Sequence, residues 1–262
     1  DLTVTQAVGG TISVGTPLIV NMPVRGQWGY LSFTATAGQT YALMIDAVST
    51  APAANQNVSV EVYNPSGGVV ATSSLPGSRT YNLTNLVAGT YTVAVVPWYG
   101  MTSSVRFTLA DGVTGTVPTD GTVTNVATTL PGQNAYYTFT ATAGQTLGLG
   151  FICTTNLSVS ITQPNGSGLS TGGGSGCSPT NPGAGNHLWT RSLPQTGTYK
   201  VTVTPSGFTT LGVDLTATQA AAYALTFGTP QSVNLPIRGQ WGLATFTATA
   251  GQSASVTLNS VS

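Results

Sequence analysis

Phe33-Thr34-Ala35-Thr36-Ala37-Gly38-Gln39 recurs as Phe139–Gln145 and Phe246–Gln252, each copy following a Gly-Gln pair, at Gly26-Gln27, Gly132-Gln133 and Gly239-Gln240. Spacings of 106 and 107 residues decide the architecture first, because a fixed period means one structural unit built repeatedly. Within Tyr30–Thr36, the side chains of Leu31, Phe33 and Ala35 fall on one face of an extended chain, and Ser32, Thr34 and Thr36 on the other. That alternation is the pattern of a half-buried strand. Ala37-Gly38-Gln39 reads as a turn, with glycine supplying a backbone shape its β-branched neighbours would resist. Tyr41–Ile45 is then the returning partner, so the signature is expected to be a hairpin with an aromatic core anchor.

The flanks show that the three copies are not equivalent. Residues 214–262 align without a gap to residues 1–49, with 26 of the 49 positions identical, whereas the middle copy matches either one much less closely. The true period is therefore 213 residues, a pair of unlike domains followed by the opening half of the next. The expected boundaries are 1–107 for a repeat A, 108–213 for a repeat B, and 214–262 for the first half of a further A. Repeat B is longer: Pro164 to Tyr199 spans 35 residues where Pro65 to Tyr91 spans 26, the excess lying in a Gly/Ser/Pro/Asn loop over 172–186 that contains Cys177. The half repeat lacks counterparts of Val58–Leu109, so its apolar face is expected to be exposed, and the simplest expectation is an excerpt of a longer array.

Short β-rich runs in the first repeat are Leu2–Ala7, Thr11–Val14, Leu18–Val24, Tyr30–Thr36, Tyr41–Ala47, Val58–Tyr63, Val69–Ser73, Arg79–Asn82, Thr90–Val96 and Ser103–Leu109. Turn residues such as Gly9-Gly10, Asn64-Pro65-Ser66-Gly67 and Pro76-Gly77 separate them. Many short strands at this density predict an all-β chain of tandem antiparallel β-sandwich domains, two complete and one half, stacked end to end.

Composition narrows the function. Charged residues make up 5% of the chain, against roughly a quarter in average soluble domains, and the net charge is zero. No electrostatic case exists for nucleic acid or an anionic membrane surface, and no apolar run approaches the ~20 residues a membrane span needs. An uncharged, Thr-rich surface reads as extracellular. Cys153 and Cys177 lie 24 apart in one repeat, and the single histidine, His187, has no partner motif for a metal. A disulfide in an oxidising compartment is the favoured reading; two buried thiols are the alternative. A bridge would tie down the 172–186 insertion.

At Phe-Thr-Ala-Thr-Ala-Gly-Gln, the Asn64-Pro65-Ser66-Gly67 turn and Ala88-Gly89-Thr90-Tyr91-Thr92-Val93, the chain resembles bacterial pre-peptidase C-terminal-like domains. The resemblance covers both full repeats and the half repeat, and implies secreted β-sandwich modules with a modular, non-catalytic role. Some members of that family carry acidic residues before the aromatic strand; here Gly26-Gln27-Trp28 and Gly132-Gln133-Asn134 stand there instead.

The acids Asp1, Asp46, Glu61, Asp111, Asp120 and Asp214 are scattered one per element, and no nucleophile elbow, phosphate loop or metal spacing is present. The chain is therefore read as a non-enzyme, with no catalytic residues, cofactor or metal. Asp1 and Asp214 are repeat equivalents and suggest a structural task at a domain junction. So do Arg25 and Arg238, and Trp28 and Trp241, which recur with the 213-residue period. Trp98, Tyr99 and Trp189 belong to one domain each and are candidates for stacking on a glycan or for lateral contact. The linkers, 105–112 and 211–217, contain no flexible spacer, so successive domains should stack semi-rigidly. The leading expectation is a structural segment of a bacterial extracellular fibre or giant cell-surface protein. Its partners would be copies of itself or further repeats, with glycans second. The alternatives are a carbohydrate-binding accessory region of a secreted enzyme and the stalk of a large toxin.

Overall fold

Strand β3 (Gly29–Ala35) lies one residue ahead of the expected run over Tyr30–Thr36, and buries Gly29, Leu31, Phe33 and Ala35 while Tyr30 and Thr34 face outward. It belongs to a computed structural model that describes residues 4–180 and 186–259. Around it the first unit comprises β1 (Val8–Thr11), β2 (Leu18–Met22), β4 (Tyr41–Ala51), β5 (Val58–Tyr63), β6 (Val69–Leu75), β7 (Arg79–Leu83), β8 (Gly89–Pro97) and β9 (Thr102–Asp111). Among the described residues these form two sheets, ordered β1-β3-β8-β5-β6 and β2-β9-β4-β7. Both sheets contribute to one core running from Ile12 to Leu109, with Phe33 stacked on Tyr91 at a centroid distance of 5.1 Å.

The second unit repeats the plan with β10 (Val113–Thr116), β11 (Asp120–Ala127), β12 (Ala135–Ala141), β13 (Leu147–Cys153), β14 (Leu157–Thr162), β15 (Gly172–Gly174), β16 (Gly176–Cys177), β17 (His187–Thr190), β18 (Gly197–Pro205) and β19 (Gly212–Thr218). Its sheets are β10-β12-β18-β14-β16 and β11-β19-β13-β17-β15. Its core spans Val117 to Ala217, with Phe139 stacked on Tyr199 at 5.2 Å. The two cores share no residue, and neither draws on the chain beyond residue 218. That remaining stretch forms one parallel pair, β20 (Ala221–Ala224) with β21 (Gly242–Thr245). Phe246, the counterpart of the 1%-exposed Phe33, is 46% exposed there, and Leu258 is 84% exposed.

Four expectations change. The signature is not a hairpin: β3 pairs with β1 and β8, while β4 joins the opposite sheet. The Ala37-Gly38-Gln39 turn carries the chain across the core, so Phe33 and Tyr41 meet edge-on at 5.9 Å from opposite sheets. Alternation shows which face of a strand is buried and says nothing about which sheet its successor joins. The sheets are also not wholly antiparallel. β2 crosses to the other sheet between β1 and β3, which leaves those two running in the same direction, and β10–β12 and β20–β21 do likewise.

The domain boundaries shift as well. Residues 108–111 complete β9, between β2 and β4, and 214–218 complete β19, between β11 and β13. Cuts after 107 and 213 would sever these closing strands, because a period fixes spacing and not phase. Of the expected strand over 2–7, residues 2 and 3 lie outside the described residues, and residues 4–7 form no strand. In the 172–186 insertion, 181–185 lie outside the described residues, and the rest supplies β15 and β16, one to each sheet.

The signature's glutamine has a job that the sequence did not reveal. In each Thr-Ala-Gly-Gln turn, the Gln side-chain carbonyl accepts the N–H of the first residue: Thr36 to Gln39 at 2.9 Å, Thr142 to Gln145 at 2.7 Å, and Thr249 to Gln252 at 3.1 Å. Glycine precedes it at φ between 80° and 88°, the third position of a turn that requires positive φ. The upstream Gly-Gln pairs are built the same way, with Val24, Leu130 and Ile237 donating to Gln27, Gln133 and Gln240. An uncharged chain thus caps its own sharpest turns with uncharged side chains.

Candidate functional site

The chemistry-bearing residues do not converge. Asp46 is paired with Arg106, whose Nε and Nη2 donate to its two carboxylate oxygens. Glu61 accepts the Tyr63 hydroxyl, and Asp120 accepts the Thr122 N–H at 2.9 Å, which holds its carboxyl below the usual range. Asp214 accepts from Asn125 across the β11–β19 ladder in an exposed bond within the second unit; Asp1 lies outside the described residues. Burial raises the phenols of Tyr41, Tyr81 and Tyr136. No group of three or more His, Cys, Asp or Glu residues that could hold a metal occurs among the described residues. His187 begins β17, exposed.

Cys153, closing β13, is bonded to Cys177 on β16. Their strands lie in different sheets, so the bridge staples the second unit across its core and fixes the insertion. Both sulfurs belong to the buried cluster.

The contacts that do recur are at the junctions between units. In β4 and β9, Tyr41, Leu43, Ile45, Phe107 and Leu109 face the first core. The alternate residues Ala42, Met44, Thr108 and Ala110 point the other way and are nevertheless buried. The Gly132-Gln133 turn of the second unit lies against this outer face, at Thr80, the strand neighbour of Met44. Gln133 also donates from its side chain to the Asp111 carbonyl at 2.6 Å, fixing the crossing point of the chain. The hydroxyl of Thr80 and the side-chain carbonyl of Asn134 are buried here without a protein partner among the described residues, and a polar cleft of about 240 Å³, lined in part by Thr80 and Gly132, opens at this junction.

The second junction repeats the arrangement with different chemistry. On β13 the outward residues are Gly148 and Gly150, buried together with Thr216 and Thr218 of β19. The backbone of Arg238-Gly239 runs directly over them. A Cβ built on Gly148 would run into the Gly239 carbonyl oxygen, and one on Gly150 would lie 2.7 Å from the Arg238 carbonyl carbon. Trp241 donates its indole N–H to the Leu147 carbonyl at 3.0 Å, and its ring sits 5.4 Å from that of Trp189. Trp189 is backed in turn by Gly172. It is therefore engaged by the next segment rather than offered to a glycan. Arg238 contributes backbone, its side chain being exposed. Sequence reading passed over Gly148 and Gly150; the signal was the Gly-Leu-Gly alternation inside a strand, which marks close backbone approach.

In the first unit Arg25 is exposed and Trp28 is 48% exposed. Trp98 and Tyr99 lie in a single 3-10 turn after β8, ring edge to ring face, with the Trp98 indole bonded to Ser59 at 2.7 Å and Tyr99 75% exposed. Their side-chain contacts are with each other and with Ser59.

No protein-family model and no curated protein matches the sequence. Among solved structures, one similar chain is the pre-peptidase C-terminal domain of a collagenase from Bacillus anthracis. It is 9% identical, with a TM-score of 0.31, and the match covers 41% of this chain and 99% of that one. Another is a tail fiber protein from an E. coli phage, at 8% identity and a TM-score of 0.29, covering 89% of this chain and 42% of that one. A third is a CBM22 tandem from Paenibacillus barcinonensis Xyn10C, at 7% and 0.25, covering 71% and 81%. At these TM-scores none of them identifies a function.

Proposed function

We propose that this chain is a non-catalytic structural run of β-sandwich modules, stacked end to end, from a secreted bacterial fibre or giant surface protein. One observation carries the reading. At both junctions, the Gly-Gln turn that precedes the central strand is seated on the outer sheet face of the unit before it, with no spacer between. Two different pairs of units joined by the same device fit a load-bearing array better than beads on a flexible string. The Cys153–Cys177 bridge and the near-absence of charge support an oxidising, extracellular setting.

The function lies in the stacking itself: a continuous, protease-resistant surface for adhesion or matrix formation, made by alternation of the two junctions. Electron micrographs of the native material test this. Filaments with an axial repeat of one unit pair, about 60–90 Å for two modules of ordinary strand length, are the expected result. Flexible chains with no constant spacing would overturn it. Tyr99, exposed beside Trp98, favours a second reading, a glycan contact at one side of the array. Glycan binding that disappears in Trp98→Ala would support that role.

A further inference from the structure

The Arg-Gly-Gln-Trp-Gly turn occurs twice, as Arg25–Gly29 and Arg238–Gly242. Among the described residues, only the second copy is seated on a neighbouring face. The two are built alike: Gln27 and Gln240 each close their turn onto Val24 and Ile237 at 3.0 Å, with Gly26 and Gly239 at φ 72° and 71°. The tryptophan carbonyl of each copy accepts the first strand of its parallel pair, Val8 to Trp28 at 2.8 Å and Ala221 to Trp241 at 2.9 Å. Among the described residues, the first copy therefore holds the seated conformation with no sheet face against it; the Gln27 side chain donates to the Gln6 carbonyl at 2.9 Å, and Trp28 is 48% exposed.

We propose that the Arg25–Gly29 turn is a docking knob, and that its partner is the outer β13–β17 face of the second unit in another copy of this chain. This rests on the array reading and supplies its joint. The second copy of the same motif already meets that face within the chain, through the Trp241 indole bond to Leu147, the ring contact with Trp189 and the passage of the Arg238-Gly239 backbone over Gly148 and Gly150. The first unit's outer face is the wrong seat. Ala42 and Met44 stand in its strand where Gly148 and Gly150 stand in β13, so their side chains fill the space the knob's backbone needs. The turn that does sit on that face carries Asn134 in place of the tryptophan. Glycine or not in the socket, and tryptophan or not in the knob, thus encode strict alternation of the two kinds of unit.

In the intact chain the socket is filled by its own residues 238–241, at the effective concentration of a short tether, on the order of 1 mM. Residues 1–220 retain both complete cores and present a knob with an open socket. At about 1 mM this fragment is expected to at least double its weight-average mass by head-to-tail association, read by sedimentation or light scattering. Trp28→Ala removes the knob and Gly150→Val fills the socket; each alone should return the fragment to monomer. Their mixture should form a 1:1 dimer and stop, since one variant keeps the only socket and the other the only knob. Circular dichroism melting confirms that each variant is folded.

Monomeric 1–220 at that concentration overturns the proposal. So does association that survives either substitution, which is lateral, or growth of the mixture past a dimer. The array reading fails separately: it falls if native filaments lack the paired repeat although 1–220 associates. The knob falls if that repeat is present and 1–220 stays monomeric.

Discussion

Replacing both Cys153 and Cys177 by alanine should destabilise the second unit and leave the first untouched. The bridge closes a loop with a sequence separation of 24. Constraining a loop of that size in the unfolded chain corresponds to about 3.5 kcal/mol at 25 °C. The alanines remove little packing volume, so this loop term dominates. For a unit of roughly 100 residues, each kcal/mol moves the midpoint by about 4–8 °C, which gives a fall of about 15–25 °C. The first unit contains no cysteine and shares no core residue with the second, so it is an internal control on the same molecule. Differential scanning calorimetry of the intact chain, with and without reductant, should show one transition fall and the other hold. A common shift of both transitions would refute the independence of the cores. No shift in either would refute the role of the bridge between the sheets.

Three further outcomes hang on single groups. Tyr199→Phe removes a hydroxyl that donates to the Gln195 carbonyl at 2.7 Å and accepts its N–H at 3.1 Å, and should cost about 1–2 kcal/mol in urea unfolding; an unchanged midpoint would count against it. Gln145→Ala uncaps the signature turn at Thr142 and should cost about 0.5–1.5 kcal/mol, recovered in part by Gln145→Glu at neutral pH because the carboxylate can still accept. Stability should be flat from about pH 5 to 9. The phenols of Tyr41, Tyr81 and Tyr136 are raised by burial, so the stability they contribute is complete below about pH 10 and is lost as pH rises beyond it. Asp120 is lowered, mainly by the Thr122 N–H, so its contribution holds above about pH 4 and is lost as pH falls through the acid range. A slope in the urea midpoint between pH 5 and 9 would contradict this.

The strands were legible because burial alternates: Leu31, Phe33 and Ala35 are inward in the sequence pattern and in β3. What crossed from one sheet to the other was not, because Tyr41 is equally apolar whether it returns beside Phe33 or faces it. The repeat gave the spacing of the units but not their phase, so a cut before Asp214 falls inside the closing strand β19. The knob is visible in the sequence as repetition of Arg-Gly-Gln-Trp-Gly. Its seat is not, since Gly148 and Gly150 are defined by an absence of side chain that means something only once Arg238 and Gly239 lie over them. Trp189, which does not recur with the period and so stands with Trp98 and Tyr99 in the sequence, meets Trp241 in the structure for the same reason.

The parallel pairing of β1 has a consequence for force. A pull on a chain of such units enters the first one at β1 and leaves it at β9, in opposite sheets. The segment after β1 runs parallel to β9, with Val14 beside Leu109 and Gly15 donating to the Leu109 carbonyl at 2.8 Å. Opposite ends of two parallel segments are then drawn apart along their own axes. The Val8–Thr11 ladder to β3 is loaded in shear, with its rungs strained together, instead of being unzipped one at a time. A unit wired this way yields late and all at once under tension.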